Sequence, residues 1–118
     1  ALEALERILG HEHPHTLISV NNLGILYMNQ GRYDEALPLL SRALEASERT
    51  LGHEHPDTLS SVGSLGGLYD SLGRYEEALP LYTRALEALE RILGHEHPHT
   101  LTSVTDLGLL GMKHRRYD

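Results

Sequence analysis

Hydrophobic residues recur at helical spacing in two neighbouring segments of the chain. In residues 14–29 the apolar positions are Leu17, Val20, Leu23 and Tyr27, which share one face of an α-helix. Pro14 suits the first turn of such a helix, because the amide hydrogen that proline lacks has no intrahelical partner there. Gly31 is of the type that commonly follows a helix. The pattern therefore predicts a first helix over residues 14–29.

A second helix is predicted over residues 34–49. Its apolar face is formed by Ala36, Leu37, Leu40, Ala43 and Leu44. Asp34 is the predicted N-cap, since its carboxylate could accept a hydrogen bond from the first turn. Pro38 would then fall near the end of the first turn, where proline does little harm. Gly52 ends this helix and leads into a histidine-rich loop.

The pair of helices repeats with a period of 42 residues. The sequence Leu-Gly-His-Glu-His-Pro occurs at residues 9–14, 51–56 and 93–98, and residues 9–50 are identical to residues 51–92 at 29 of 42 positions. A fixed period of this length is typical of a solenoid, in which neighbouring units bury each other's apolar faces. The prediction is a single all-α repeat domain over residues 1–118.

The units of this domain have predicted boundaries. Residues 1–9 match the tail of a second helix, 10–51 form the first unit, 52–93 the second, and 94–118 a partial third unit with a first helix only. Neither end carries a polar capping helix. We therefore expect the chain to be part of a longer array, or to stack head-to-tail with copies of itself.

The two complete units differ at 13 of 42 positions, and six of these lie on one face of the first helix. We call this face the variable stripe. Its members are Ile18, Asn21, Asn22, Ile25, Met28 and Asn29 in the first unit, Ser60, Gly63, Ser64, Gly67, Asp70 and Ser71 in the second, and Thr102, Thr105, Asp106, Leu109, Met112 and Lys113 in the third. Leu17, Ser19, Val20, Leu23, Gly24 and Leu26 instead recur unchanged in all three units. We expect the unchanged positions to pack against neighbouring helices, and the variable stripe to carry no packing between repeats.

Charge narrows the classes of partner. The chain has 17 acidic and 10 basic residues, a formal net charge of −7, and a single lysine. A nucleic-acid backbone or an acidic membrane surface would require clustered positive charge, so neither is an expected partner. No apolar run approaches the roughly 18 residues that a membrane span needs.

The absence of cysteine excludes disulfides, thiolate nucleophiles and cysteine-based metal sites. It is consistent with a reducing compartment, and a cytoplasmic location is predicted. The aromatic residues are six tyrosines, without phenylalanine or tryptophan, so the core is expected to be aliphatic.

The histidine-rich loops have two interpretations. His11, His13 and His15 alternate in the first loop, and His95, His97 and His99 alternate in the third. Three nearby imidazoles could bind zinc, nickel or copper. The favoured alternative is structural, with the histidine before each proline (His13, His55 and His97) packing against or capping the following helix.

Catalysis is not expected. Ser, His, Asp and Glu stand at repeated positions, whereas a catalytic constellation is normally unique and asymmetric. No phosphate-binding glycine loop and no His-Glu-x-x-His pair occurs. We therefore predict no catalytic residue and no cofactor.

Positions that recur in the two complete units carry a family resemblance. They are Val20, Leu23, Gly24, Tyr27, Gly31, Tyr33, Ala36, Leu40 and Ala43, with nearly the same set 42 residues later. This spacing resembles that of tetratricopeptide repeats. The 42-residue period, the Leu-Gly-x-x-His-Pro loop and the segment Asn21-Asn22-Leu23-Gly24 look like the kinesin light chain subclass. Gly111 and Arg115 depart from the pattern in the third unit.

The resemblance implies a right-handed superhelix of antiparallel helix pairs, whose first helices line a concave, peptide-binding face. The variable stripe would then line the groove and bind an extended peptide of a protein partner. The candidate groove residues are Ile18, Asn21, Asn22, Ile25, Met28, Asn29, Ser60, Ser64, Gly67, Asp70, Ser71, Thr105, Asp106 and Leu109. Since the first two units place no cation in the stripe, a groove that clamps a terminal carboxylate is not expected. The alternatives are a stripe that is merely solvated, and a structural or self-assembling segment without a dedicated ligand.

Overall fold

A computed structural model describes residues 2–10, 13–94, 96–98 and 101, and in this part of the chain it contains helices and no strand. The helices are α1 (Leu2–Leu9), α2 (Pro14–Asn29), α3 (Tyr33–Leu51), α4 (Pro56–Ser71) and α5 (Tyr75–Leu93). The predicted first helix over residues 14–29 is confirmed at both ends. None of the described helices is long and apolar enough to cross a membrane.

The helices form two hairpins that stack on each other. Helix α2 packs on α3, and α4 packs on α5, while α3 packs on α4 and joins the two hairpins. The first helices α2 and α4 also contact each other directly, and α1 packs on α2. Each tight turn between the helices of a hairpin contains a glycine with positive φ, Gly31 (φ 76) and Gly73 (φ 75). Only glycine adopts this backbone conformation without steric cost.

The start of the second helices differs from the prediction. Asp34 is not the N-cap, because α3 begins at Tyr33 and the N-cap is Arg32, which makes no capping hydrogen bond through its side chain. The Arg32 guanidinium instead donates to both carboxylate oxygens of Glu35, at 2.9 and 2.5 Å. It also lies 4.3 Å from the centre of the Tyr27 ring. These contacts fix the turn, and Pro38 consequently lies in the second turn of α3 rather than in the first.

The core runs continuously across the two hairpins. One cluster of buried residues draws on α3, α4 and α5 and comprises Ala36, Leu40, Leu44, Val62, Leu65, Leu68 and Ala85. The core is aliphatic in the main, as expected, although Tyr82 of α5 is buried with Ala78 in a second cluster. Since the larger cluster belongs to both hairpins, neither hairpin completes a core alone.

One unchanged position is not buried. Leu26 is 51% exposed, whereas Leu68, its equivalent 42 residues later, is fully buried against α3. Helix α1 has eight residues and matches only the end of the 19-residue α3. It therefore supplies no equivalent of Leu40, which packs in the same cluster as Leu68. Leu26 is therefore an unchanged position that none of the described helices covers.

Ion pairs connect the second helices of successive units. Arg42 of α3 donates to Glu6 of α1 at 2.7 Å, and Arg84 of α5 donates to Glu48 of α3 at 2.8 Å. Both pairs span 36 residues of sequence and occupy equivalent positions in the repeat. Helices α3 and α5 pack less closely than α2 and α4 do. Long side chains thus bridge one side of the stack, whereas direct helix packing joins the other.

Candidate functional site

His13 and His55 cap the first helices α2 and α4. His13 Nδ1 accepts a hydrogen bond from the His15 amide at 3.1 Å, and His55 Nδ1 accepts one from the Asp57 amide at 3.1 Å. The structural interpretation is confirmed for these two loops, since each imidazole occupies the position of an N-cap acceptor.

The metal alternative gains no support from the described histidines. The His13 and His15 rings stack with their centres 5.3 Å apart. The backbone carbonyl of His97 accepts a hydrogen bond from the Leu101 amide at 3.0 Å. Among the residues that the structure describes, no three His, Asp or Glu side chains are close enough to hold a metal ion. His11, His95 and His99 lie outside the described residues.

The variable stripe is not a uniformly solvated surface. Ile18, Asn22, Asn29, Ser60 and Ser71 are exposed, while Ile25, Met28, Ser64, Gly67 and Asp70 are half-buried. Ile25 and Met28 pack against the larger core cluster, which contains residues of both hairpins. These two members of the stripe are therefore partly packed against the core rather than fully solvated. Thr105, Asp106 and Leu109 lie outside the described residues.

The N-terminal part of the stripe borders a cleft between α2 and α4. The cleft has a volume of about 140 Å³ and is lined by Pro14, Leu17, Ile18, Asn21, Asn22, Ser47, Leu51, Asp57, Ser60 and Ser61. Four of these residues are predicted groove residues, namely Ile18, Asn21, Asn22 and Ser60. We call this feature the α2–α4 cleft. It exists because the two first helices contact each other directly and the end of α3 lies between them.

Asn21 is the most unusual residue in the cleft. It is 8% exposed, and its Oδ1 atom is buried without a hydrogen-bond partner among the described residues. An unpaired buried acceptor costs about 1–3 kcal/mol of stability.

The charge around the cleft is negative. Asp57 is the one ionisable residue in the lining, and its side chain is 39% exposed. Helices α2 and α4 contain two aspartates and no lysine or arginine. The described arginines belong instead to α1, the second helices and the turns, where several pair with glutamates, as in Arg74–Glu77 and Arg91–Glu54. Within the described residues, the face formed by the first helices therefore carries acidic side chains but no lysine or arginine.

Sequence reasoning missed six residues of the cleft, for three different reasons. Leu17 and Ser61 are unchanged between units, so their identity pointed only to packing. Ser47 and Leu51 belong to a second helix, and Pro14 was assigned only to the start of α2. Asp57 offered a usable signal, because it is one of the 13 positions at which the two units differ, with His15 as its equivalent.

Comparisons with known proteins agree with this architecture. The tetratricopeptide repeat family model matches residues 18–91 and, in a second alignment, residues 65–115. The two matches together include most of both complete units. A comparison with curated protein sequences gives no match.

Solved structures share the arrangement of helices. A Podosopora anserina protein described as a kinesin light chain with nearly identical TPR-like repeats gives a TM-score of 0.90 at 29% identity, over 96% of this chain and 54% of that one. A variant of the same protein gives a TM-score of 0.89 at 31% identity, over 96% of this chain and 53% of that one. BtubC (BKLC) from P. vanneervenii gives a TM-score of 0.78 at 25% identity, over 84% of this chain and 39% of that one. The chain spans about half the length of the first two structures.

Proposed function

The chain belongs to the tetratricopeptide repeat family, and we propose that it is a non-catalytic protein-interaction module that binds an extended peptide along its first helices. The α2–α4 cleft carries this proposal. It lies between two equivalent helices, it is lined in part by residues that differ from unit to unit, and it contains a buried acceptor without a described partner.

The proposed contacts divide into polar and apolar groups. Asn22 and Ser60 lie exposed at the cleft and would hydrogen-bond the peptide backbone, while Ile18, which is 41% exposed, would contact an apolar side chain. Further along the stripe, the half-buried Gly67 leaves room for close approach, since a Cβ atom there would meet only the Tyr82 hydroxyl at 3.7 Å. The proposed partner is a protein in the cytoplasm, and neither nucleic acid nor membrane is part of the proposal.

A peptide-binding screen tests the proposal. The chain would be screened against a diverse immobilised peptide library beside a groove variant, Ile18→Ala/Asn22→Ala/Ser60→Ala. These three side chains are exposed, so their truncation leaves the core intact. The control is Glu45→Ala/Glu87→Ala, which removes two exposed carboxylates from the second helices.

The expected result is a set of peptides that bind the wild type and the control but not the groove variant. Circular dichroism would verify that all three proteins have the same helix content. Binding that survives in the groove variant would contradict the proposed site, and the lack of any binding peptide would contradict the proposed function.

A self-assembling segment is the second candidate function, and Leu26 favours it. Its 51% exposure contrasts with the full burial of Leu68, so a further second helix could cover it, and in the self-assembling case that helix belongs to another copy. Light scattering over a micromolar concentration series would show a rising mass for the wild type and a constant mass for Leu26→Asp. A constant monomer mass for both proteins would contradict this candidate.

A further inference from the structure

The α2–α4 cleft lies where α3 carries a smaller side chain than the equivalent helices do. Ser47, near the end of α3, lines the cleft, whereas the residues 42 positions before and after it are Leu5 and Leu89. A leucine at this position would start from the same backbone atom and extend into the space that the cleft occupies, since a shorter side chain leaves its neighbours unfilled. The cleft thus has the place of an aliphatic side chain that the other units supply themselves.

A second difference between the units puts an apolar residue at the edge of the same space. Ile18 lines the cleft and is 41% exposed, and its equivalent 42 residues later is Ser60. The first unit therefore has Ser47 with Ile18, where the second has Leu89 with Ser60. The aliphatic group is absent from the buried position and present at an exposed one, so an apolar ligand that covers Ile18 and enters the cleft would remove both surfaces from water.

The buried polar residues of the lining offer little to a ligand. Asn21, Ser47 and Ser61 are at most 8% exposed, and the Asn21 Oδ1 atom is inaccessible. Asn22 and Ser60 are exposed, so they can hydrogen-bond the backbone of a peptide that passes over the cleft. A side chain that enters the cleft gains from contact with apolar atoms instead.

These apolar atoms belong to Pro14, Leu17, Ile18 and Leu51. A protein cavity of about 150 Å³ holds a benzene molecule, so the cleft, with about 140 Å³, has room for the carbon atoms of a leucine side chain. Resting on the proposed function, we infer that the α2–α4 cleft is a subsite for an aliphatic side chain of leucine size in the bound peptide, and that Ser47 makes the space for it.

The one charged residue of the lining is compatible with this ligand. The Asp57 side chain is 39% exposed, so its carboxylate stays hydrated at the edge of the cleft. It lies in the first turn of α4, where a negative charge is favoured by the helix dipole. An aliphatic side chain leaves this arrangement unchanged, whereas an acidic one would be repelled.

A titration with small probes tests the subsite directly. The ¹⁵N-labelled chain would be titrated with N-acetyl-leucine methylamide, and amide shifts would be followed by NMR. N-acetyl-alanine methylamide has a shorter side chain, and N-acetyl-asparagine methylamide has nearly the shape of the leucine probe with a polar end. We expect the leucine probe to shift the amides of Leu17, Ile18 and Ser60. It should bind about fivefold or more tightly than either other probe, since each methylene group removed from water adds to the affinity.

Two variants assign the preference for leucine to its residues, and each replaces a residue of the first unit by its equivalent in the second. Ser47→Leu fills the cleft from within, Ile18→Ser removes apolar surface at its edge, and both should lose most of the preference. The matched controls are Thr50→Ile and Asn29→Ser, which make the same kind of exchange at positions that do not line the cleft and should keep the preference. Circular dichroism would verify the helix content of all four variants. Should Ser47→Leu fail to fold, Ile18→Ser decides the question, because Ile18 is exposed.

The outcomes separate this inference from the proposed function. Equal affinity for the leucine and alanine probes, an asparagine probe that binds as tightly as leucine, or no shift at the cleft with the leucine probe would each overturn the inference. A preference for leucine that survives in Ile18→Ser or in folded Ser47→Leu would also overturn it. Library peptides that bind through the groove, yet tolerate replacement of each aliphatic residue by alanine, would overturn the inference and leave the proposed function in place. Loss of the preference in Ser47→Leu but not in Thr50→Ile would support it.

Discussion

Two glycines of α4 should respond in opposite directions to the same substitution. A Cβ atom at Gly66 would lie 2.8 Å from Cε1 and 2.9 Å from Cδ1 of the Tyr82 ring, while a Cβ atom at Gly63 would meet nothing within 4 Å. Both glycines lie in the interior of the helix, where alanine is favoured over glycine by about 1 kcal/mol. The difference between the two variants therefore measures the close approach of α4 to α5.

The expected size of the change in stability at Gly66 follows from the burial of the neighbouring Tyr82 ring. Tyr82 is 8% exposed and packs with Ala78, so its ring cannot move aside without disturbing the core. Overpacking of this kind costs about 1–3 kcal/mol. After the gain in helix propensity is subtracted, Gly66→Ala should lower the free energy of unfolding by about 1–2 kcal/mol. Gly63→Ala should raise it by about 0.5–1 kcal/mol.

Urea unfolding followed by circular dichroism measures both changes. The double variant Gly66→Ala/Tyr82→Ala should lose less stability than the sum of its single variants, because removal of the ring makes room for the new methyl group. The reasoning is refuted if Gly66→Ala is as stable as Gly63→Ala, or if the losses at Gly66 and Tyr82 add without coupling.

Three further predictions concern side chains that repeat along the stack. Thr58→Val should raise the free energy of unfolding by about 1 kcal/mol in urea titrations, because the buried Thr58 hydroxyl has no described partner; a loss of stability would contradict this. His55→Ala should cost about 1 kcal/mol through loss of the cap on α4, and His55→Asn should restore most of it, since asparagine is a good N-cap; equal stability of the two variants would exclude the capping role. A double-mutant cycle on Arg84 and Glu48, whose side chains are 33% and 26% exposed, should give a coupling of about 0.5–1 kcal/mol that shrinks with salt.

The fold was readable from the sequence because the same pattern occurs more than once. The 42-residue period and the unchanged apolar positions predicted the helix pairs and the resemblance to kinesin light chain repeats, and both are confirmed by the structure and by the family match. The N-cap of α3 was not readable in this way. Asp34 has the residue type of a cap, but the pairing of Arg32 with Glu35 and its contact with Tyr27 determine where the helix starts.

The candidate site was readable only in part. Differences between the units pointed to Asn21 and Ile18, and the cleft contains both. They could not show that Ile25 and Met28 pack against the core cluster, because their equivalents, Gly67 and Asp70, differ from them as much as the residues at exposed positions do. The missing partner of Asn21 Oδ1 is a tertiary property, and no pattern along the chain encodes it.

The different contacts on the two sides of the stack have a mechanical consequence. The first helices touch directly, whereas the second helices are tied by Arg42–Glu6 and Arg84–Glu48 across a less closely packed gap. Ion pairs between flexible side chains stretch at little energetic cost, while interlocked apolar side chains do not. We therefore expect the stack to bend by opening and closing along its second helices, with the line of α2–α4 contacts as the fixed axis. High salt would soften this motion, so the curvature of a longer array measured by small-angle scattering would depend on ionic strength.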